Sequence, residues 1–295
     1  MNHLVNRLAV IGVGLIGGSF ALDLKRKGLV GEVVGAGRSR VNLDLALQIG
    51  LIDVIADDPA SAVAEADLTL LAIPVGAMPE LFRAIAPALK PGCIVTDAGS
   101  TKQDVIAAAR AGLGDKVAQF VPGHPIAGAE TSGAAAARAG LYQDKPFILT
   151  PLPENNATEV DQVEALWAAC GAQVARMDPA EHDGVFAAVS HLPHLAAFAL
   201  MEELAGRPKA DVYFRYAGAG FRDFTSIDGS HPEMWRDITL ANSTALLTEL
   251  DAYIAKLGEI RALIERGDGT GLEELFERAC TARTNWNKSW NKTGT

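Results

Sequence analysis

Short apolar runs, each stopped by glycine or proline, alternate with helix-spaced segments through the first half of the chain. Leu8-Ala9-Val10-Ile11 ends in glycines and leads into a helical stretch over residues 17–27. Val33-Val34 reads as a second strand, 68–73 as a third stopped by Pro74, and Ile94-Val95-Thr96 as a fourth stopped by Asp97-Ala98-Gly99. Gln119-Phe120-Val121 follows, stopped by Pro122-Gly123, and Phe147-Ile148-Leu149 and 174–177 flank a helix near 160–169. This alternation predicts a parallel sheet covered on both faces by helices. After Asp178 the pattern changes. Helical spacing runs over 185–204, 235–263 and 272–283, with no convincing strand. Pro179 suits a first helical turn capped by Asp178, so the boundary falls there. Residues 1–178 are expected to form an α/β domain and 179–295 an all-α domain, with the polar tail from Thr284 frayed.

A chain of 295 residues suits two domains, and 49% hydrophobic with 21% charged residues is an ordinary globular balance. The formal net charge of −10 repels phosphate polymers and argues against nucleic acid as a partner. Cys93, Cys170 and Cys280 are odd in number and far apart. They suggest no disulfide framework, only buried or half-buried thiols in a reducing compartment. No signal-type segment opens the chain and no unbroken apolar run reaches membrane-spanning length. The expected location is the cytoplasm, away from membranes.

The first strand runs into Gly12-x-Gly14-x-x-Gly17, with Leu15 and Ile16 between the last two glycines. Such glycines permit a tight turn, close approach of a pyrophosphate and close helix–strand packing, with the phosphates at the helix N-terminus. The strand–turn–helix setting is what makes this weak pattern persuasive for a dinucleotide. An NAD site usually has an acidic residue about 20 positions on, for the ribose hydroxyls. Here that count lands on Gly37, followed by Arg38, Ser39 and Arg40. Missing acid and added arginine favour NADP, because a guanidinium can fork onto a 2′-phosphate. The arginines also fit as adenine-stacking or solvent-facing groups, which leaves NAD usable. Ile73, Pro74 and Gly99 follow strand ends and should complete the cofactor crevice.

Three further clusters carry chemistry: Asp97 to Lys102 (DAGSTK), His124 within GHPIAGAETSG, and SHLPH at 190–194. The first two follow strand ends, where an open parallel sheet binds its ligands. With GVGLIGGS, SHLPHLAAFAL and GFRDFT before PEMWRDI, they resemble the prephenate and arogenate dehydrogenase family, in the family's order and over nearly the whole chain. The resemblance implies a Rossmann domain with a parallel sheet, then a helical domain that builds a homodimer. It implies oxidative decarboxylation of a cyclohexadienyl alcohol with hydride transfer to NAD(P), for tyrosine biosynthesis.

By the same resemblance His124 is the base for the substrate hydroxyl, and imidazole has a suitable pKa range. Ser100 bonds that hydroxyl or orients His124. His194 lies near the substrate side chain and Glu130 at the site mouth. Many relatives read Phe-Thr-Arg where this chain has Phe224-Thr225-Ser226. Ser226 cannot supply the arginine's charge to the substrate's ring carboxylate, so Arg222, Arg215 or Arg236 could replace it. Arg222 equally fits a structural ion pair with Asp223, and His191 a satisfied core histidine. His182, nine residues before His191, lies about 180° round an ideal helix from it, and no metal site is expected. Two other readings compete. A β-hydroxyacid-type dehydrogenase needs a lysine that 182–204 lacks, and a non-catalytic dinucleotide sensor would not need His124 with Ser100.

Overall fold

The computed structural model describes residues 3–128, 131–226 and 232–293. The chain divides into two compact units, Met1–Ser243 and Thr244–Thr295.

In the first unit, strands β1 (Val5–Ile11), β2 (Val30–Ala36), β3 (Val54–Ile55), β4 (Leu68–Leu71), β5 (Ile94–Asp97) and β6 (Phe120–Val121) form one parallel sheet. Their order is β3-β2-β1-β4-β5-β6, so the winding reverses between β1 and β4 and opens a crevice at their carboxyl ends. Between the strands run helices α1 (Leu15–Arg26), α2 (Arg40–Gln48), α3 (Pro59–Val63), α4 (Met78–Ile85) and α5 (Gln103–Leu113). Side chains alternate across the pleat. Leu8 and Val10 enter one apolar cluster, with Phe20 and Leu24 of α1, while Ala9 and Ile11 enter the other, with Phe82 of α4 and Val105 of α5. A sheet buried on both faces needs such unbroken apolar strands.

The later strands do not extend this sheet. β7 (Gly123–Pro125), β8 (Pro146–Leu149) and β9 (Gln173–Arg176) form a second one, with β7 antiparallel and β9 parallel to β8. The segment read as a loop around His124 is therefore a strand, with His124 opposite Ile148. Gly123 makes this possible, because a Cβ there would stand 2.3 Å from the Phe147 ring. Phe147 in turn stacks on Trp167 of α6 (Ala157–Ala169) at 4.1 Å between centroids.

No strand follows β9 among the described residues. Asp178 caps α7 (Pro179–Phe186) by accepting from the Ala180 and Glu181 amides. A π-helical turn, Ala187–His191, joins α7 to α8 (Leu192–Ala205) just before Pro193. Pro193 lacks the N–H that would close a regular turn, and such bulges cluster at functional sites. Within Pro179–Ala205 an 18-residue window has mean hydropathy 1.5, enough to cross a membrane by length and composition alone, a test that the core helix of a soluble protein also passes. No single apolar run reveals this, because the interrupting residues are few and mostly neutral. Helices α9 (Ala210–Arg215), α10 (Ala219–Thr225) and α11 (Pro232–Ala241) complete the unit. α11 returns to the sheet domain, where Trp235 and Ile238 join the second cluster.

The second unit is a helical pair. α12 (Ser243–Arg266) begins at its edge, and α13 (Gly269–Thr293) follows a turn in which Gly267 has φ +66° and Asp268 accepts from the Gly271 amide. The polar tail is helical to Thr293 rather than frayed. Cys280 is exposed on α13, whereas Cys93 and Cys170 are buried.

Candidate active site

The glycine loop fits a dinucleotide. Gly12 has φ +96°, and a Cβ there would lie 2.2 Å from the Ala72 carbonyl oxygen. At Gly17 a Cβ would meet the Gly12 oxygen at 2.5 Å and Val10 at 2.7 Å. At Gly14 the nearest atom is 3.9 Å away, so the space beside the start of α1 is open. Two glycines are thus required by packing, and the third leaves room for phosphate. Ile73 and Pro74 follow β4 directly across this turn, and the Gly12 Cβ position is 3.0 Å from Ile73.

At the end of β2, Gly37, Arg38, Ser39 and Arg40 are all exposed. Ser39 caps α2 by accepting from the Asn42 amide at 3.3 Å. Arg40 pairs with Asp44 at 2.9 Å, one helical turn on. Arg38 has no side-chain hydrogen bond or ion pair among the described residues. No carboxylate takes the ribose position.

Beyond β5, a buried ion pair organises the crevice. Asp97 Oδ2 accepts from the Gly99 amide at 2.8 Å and Lys102 Nζ at 2.6 Å, and Oδ1 accepts from the Gly123 amide at 3.0 Å. Lys102 Nζ also donates to the Gly123 carbonyl at 2.7 Å. Both side chains are fully buried. Gly99 and the residue before His124 are therefore held on one charged pair.

His124 Nδ1 lies 2.9 Å from His182 Nε2, and His182 Nδ1 lies 2.9 Å from Asp183 Oδ1. The carboxylate selects the tautomer. It accepts a hydrogen bond from His182 Nδ1–H, so His182 Nε2 accepts from His124 Nδ1–H, and the lone pair of His124 falls on Nε2. Burial, then the charges of His182, Lys102 and His191, hold His124 well below the usual imidazole pKa. Burial likewise lowers His182 despite Asp183. Both rings are neutral at pH 7. Burial pushes Asp183 up, but His182 and the amides of Gln103 and Lys102 outweigh it, and the carboxyl stays below its ordinary value. Those amides, at 2.9 and 2.8 Å, make Asp183 also the cap of α5.

Ser100, three residues past β5, is half-buried and makes no side-chain hydrogen bond among the described residues. His182, not Ser100, orients His124. His191, lowered to about 4 by burial, receives Asn242 Nδ2 at 3.2 Å, and the same amide donates to the Asp183 carbonyl at 2.8 Å. It is a satisfied core histidine. His194 turns Nδ1 to the Ser190 carbonyl at 2.8 Å and stacks on Trp235 at 3.7 Å. The Trp235 indole N–H is buried and has no partner among the described residues.

Of the arginines that could answer a substrate carboxylate, Arg215 lies 3.8 Å from Asp211, and Arg236 lies 2.6 Å from Asp237. Arg222, on α10, has no side-chain partner among the described residues and does not pair with Asp223. Ser226 Oγ donates to the Asp223 carbonyl at 2.9 Å. Glu130 lies outside the described residues. Sequence reasoning missed His182, Asp183, Lys102 and Trp235 as site residues.

Residues 20–176 match the family described as prephenate dehydrogenase, nucleotide-binding domain, and residues 178–278 match prephenate dehydrogenase, dimerization domain. The chain is 39% identical to the cyclohexadienyl dehydrogenase of Zymomonas mobilis, over 94% of each protein. The crystal structure of a prephenate dehydrogenase from Aquifex aeolicus, in complex with hydroxyphenyl propionate and NAD+, superposes with a TM-score of 0.89. It is 35% identical and covers 95% of this chain and 98% of its own. The arogenate dehydrogenase of Synechocystis gives 0.79 at 28% identity, covering 95% of this chain and 99% of its own.

Proposed function

The chain belongs to the prephenate dehydrogenase family, and from that premise we propose that it oxidatively decarboxylates prephenate or arogenate with NADP as preferred cofactor and His124 as base. It is a nicotinamide-dependent oxidoreductase. The observation that carries the mechanism is the His124–His182–Asp183 chain. It leaves His124 neutral with a lone pair on Nε2, which has no protein partner among the described residues.

The bound nicotinamide would supply the hydride acceptor, held by Gly12, Gly14, Leu15, Ile16, Gly17, Ile73, Pro74 and Gly99. His124 Nε2 accepts the proton of the ring hydroxyl as the hydride leaves the same carbon. The bond to the ring carboxylate would then break, its electron pair completing the aromatic ring as carbon dioxide departs, and the carbonyl pair would pass to the ring oxygen, which takes back the proton from His124. His182 and Asp183 hold the imidazole in place and balance the positive charge it acquires. Ser100 is assigned to donate to the same hydroxyl. His194 and Glu130 are assigned to the substrate side chain and the site mouth. Arg222, uncommitted to any acid among the described residues, is assigned to the ring carboxylate beside Ser226.

Preference for NADP rests on Arg38, Ser39 and Arg40 at a ribose position without an acid. Assaying two substrates against two cofactors tests the reading. Turnover efficiency should be higher with NADP than with NAD. Arg38→Ala should raise the KM for NADP about 10–100-fold, the size of a lost charge-assisted bond, and leave NAD little changed. Higher efficiency with NAD in the unmodified enzyme would overturn the preference.

Residues 1–178 are read as the dinucleotide-binding part and 179–295 as the dimerising part, which the two family ranges support. Leu247, Ile254, Leu257, Ile264 and Phe276 are exposed on α12 and α13, more apolar surface than a lone helical pair usually leaves to water. Light scattering at micromolar concentration should give twice the 31.0 kDa chain mass, and a monomer mass would refute the homodimer. The reading places the enzyme in the cytoplasm with only small-molecule ligands.

A further inference from the structure

Residues 131–142 run as a strap over the glycine loop, between His124 and β8. Four ties fasten it to α1 and α2. The Arg138 amide donates to Ser19 Oγ at 3.0 Å, and the Gly140 amide to Asp23 at 2.9 Å. Tyr142 donates its hydroxyl to the Ile16 carbonyl at 2.6 Å. The fourth tie is Asn42. Its Nδ2 donates to the Val13 carbonyl at 2.7 Å, inside Gly12-x-Gly14, and its Oδ1 accepts from the Ala134 amide at 2.8 Å. Gly133 has φ +83°, and a Cβ there would lie 3.1 Å from the same Oδ1. Its own amide nitrogen lies 3.9 Å from the Cβ position of Gly14. Thus one amide side chain, two residues past Arg40, bridges the adenosine end, the glycine loop and the strap above it.

We infer that Asn42 is a positioning residue that makes the glycine loop and the strap respond together when a nicotinamide dinucleotide occupies the adenosine end. The inference rests on the reading that this loop holds the cofactor. Three considerations carry it. A primary amide is needed, because one tie uses a donor and the other an acceptor. Neither partner is otherwise paired across this gap, so removing Asn42 releases both at once. Asn42 lies on α2, whose first residues stand at the ribose position, so a shift of that helix on ligand binding passes directly to both chains.

The test combines affinity with local order. In the unmodified enzyme, NADP+ should slow hydrogen–deuterium exchange across residues 131–142, and adenosine 2′,5′-bisphosphate alone should do the same. Asn42→Ala should raise the Kd for NADP+ about 10-fold, as expected for two lost bonds. It should keep kcat at saturating cofactor within about 2-fold, because the reacting groups are untouched. The exchange response of the strap should be lost. Asn42→Asp keeps the acceptor and loses the donor. It carries the same test should the alanine variant fail to fold, with affinity reduced and the response of the strap to NADP+ lost, because the tie to the Val13 carbonyl is gone. An unchanged Kd together with an unchanged exchange response in these variants would overturn the inference. Gly14→Val separates the underlying reading, because its side chain fills the phosphate space. If that variant binds NADP+ normally, the cofactor assignment falls, not merely the role of Asn42.

Discussion

His124→Asn is expected to cut turnover by about 10²–10⁴-fold, the usual cost of removing a general base, while fold and cofactor affinity are kept. Asparagine fills similar space, still offers an amide toward His182, and lies away from the glycine loop. What it lacks is a group that can take a proton. The pH profile separates this from mere misplacement. A base works only unprotonated, so the rate should rise with pH as the imidazole loses its proton. Burial first, and then the neighbouring His182 and Lys102, place that limb on the acid side of the ordinary value of 6.5, so the rate should be level by neutrality. The variant should lack the limb. Acid also weakens folding. In the unfolded chain His124, His182 and His191 bind protons from about pH 6.5 downward, while in the folded protein they resist until lower pH. Rates must therefore recover on return to neutrality to count. Ser100→Ala should cost less than His124→Asn, because it removes a hydrogen bond and leaves the proton acceptor. Near-normal turnover with an unchanged profile in His124→Asn would remove His124 from the chemistry.

Much of this arrangement was legible in the sequence, and the parts that were not have identifiable causes. Five of the six parallel strands announce themselves as short apolar runs, as a sheet covered on both faces demands, whereas β3 was missed because it is two residues long and lies partly exposed at the sheet edge. β7 was missed because glycine and proline flank His124, and both argue against a strand. Here Gly123 is required by the Phe147 ring, and Pro125 ends the pairing. The tail was misjudged for the opposite reason. It is polar, yet nothing between Thr284 and Thr293 breaks a helix, and a solvated helix needs no apolar stripe there. Within the site, His124 and Ser100 stood out through their motifs. His182 did not, because its partner is 58 positions away and its neighbours resemble an ordinary helix start. An Asp beside a His just past a capped N-terminus was the available signal. The same Asp183 caps α5, so its fixed position derives from backbone geometry that no side-chain pattern displays. Lys102 was visible as a residue but not as a buried one. A lysine after a strand end reads as solvent-facing or substrate-facing until the fold shows it enclosed.

That enclosed lysine carries the largest expected effect on stability. In Lys102→Met the apolar stem is roughly replaced, while the ammonium and its bonds to Asp97 and the Gly123 carbonyl are lost. Asp97 would be left fully buried without its cation, with only the Gly99 and Gly123 amides as donors. Stranding one member of a buried pair costs about 3–5 kcal/mol, and urea unfolding should read that loss. Removing both charges is a different case. Asp97→Asn with Lys102→Met deletes the unpaired charge, so the double variant should be more stable than Lys102→Met alone. Activity should not recover in parallel, because it depends on where the pair puts the backbone. Asp97 and Lys102 grip both the amide and the carbonyl of Gly123, and His124 is the next residue. With that grip loosened, Nε2 no longer meets a hydroxyl proton at hydrogen-bond distance, and misplacement of about 1 Å can cost 10²-fold in rate. A Lys102→Met enzyme within about 1 kcal/mol of the unmodified stability would show that the pair does not anchor the crevice. A double variant with both stability and full turnover would show that it does not place His124.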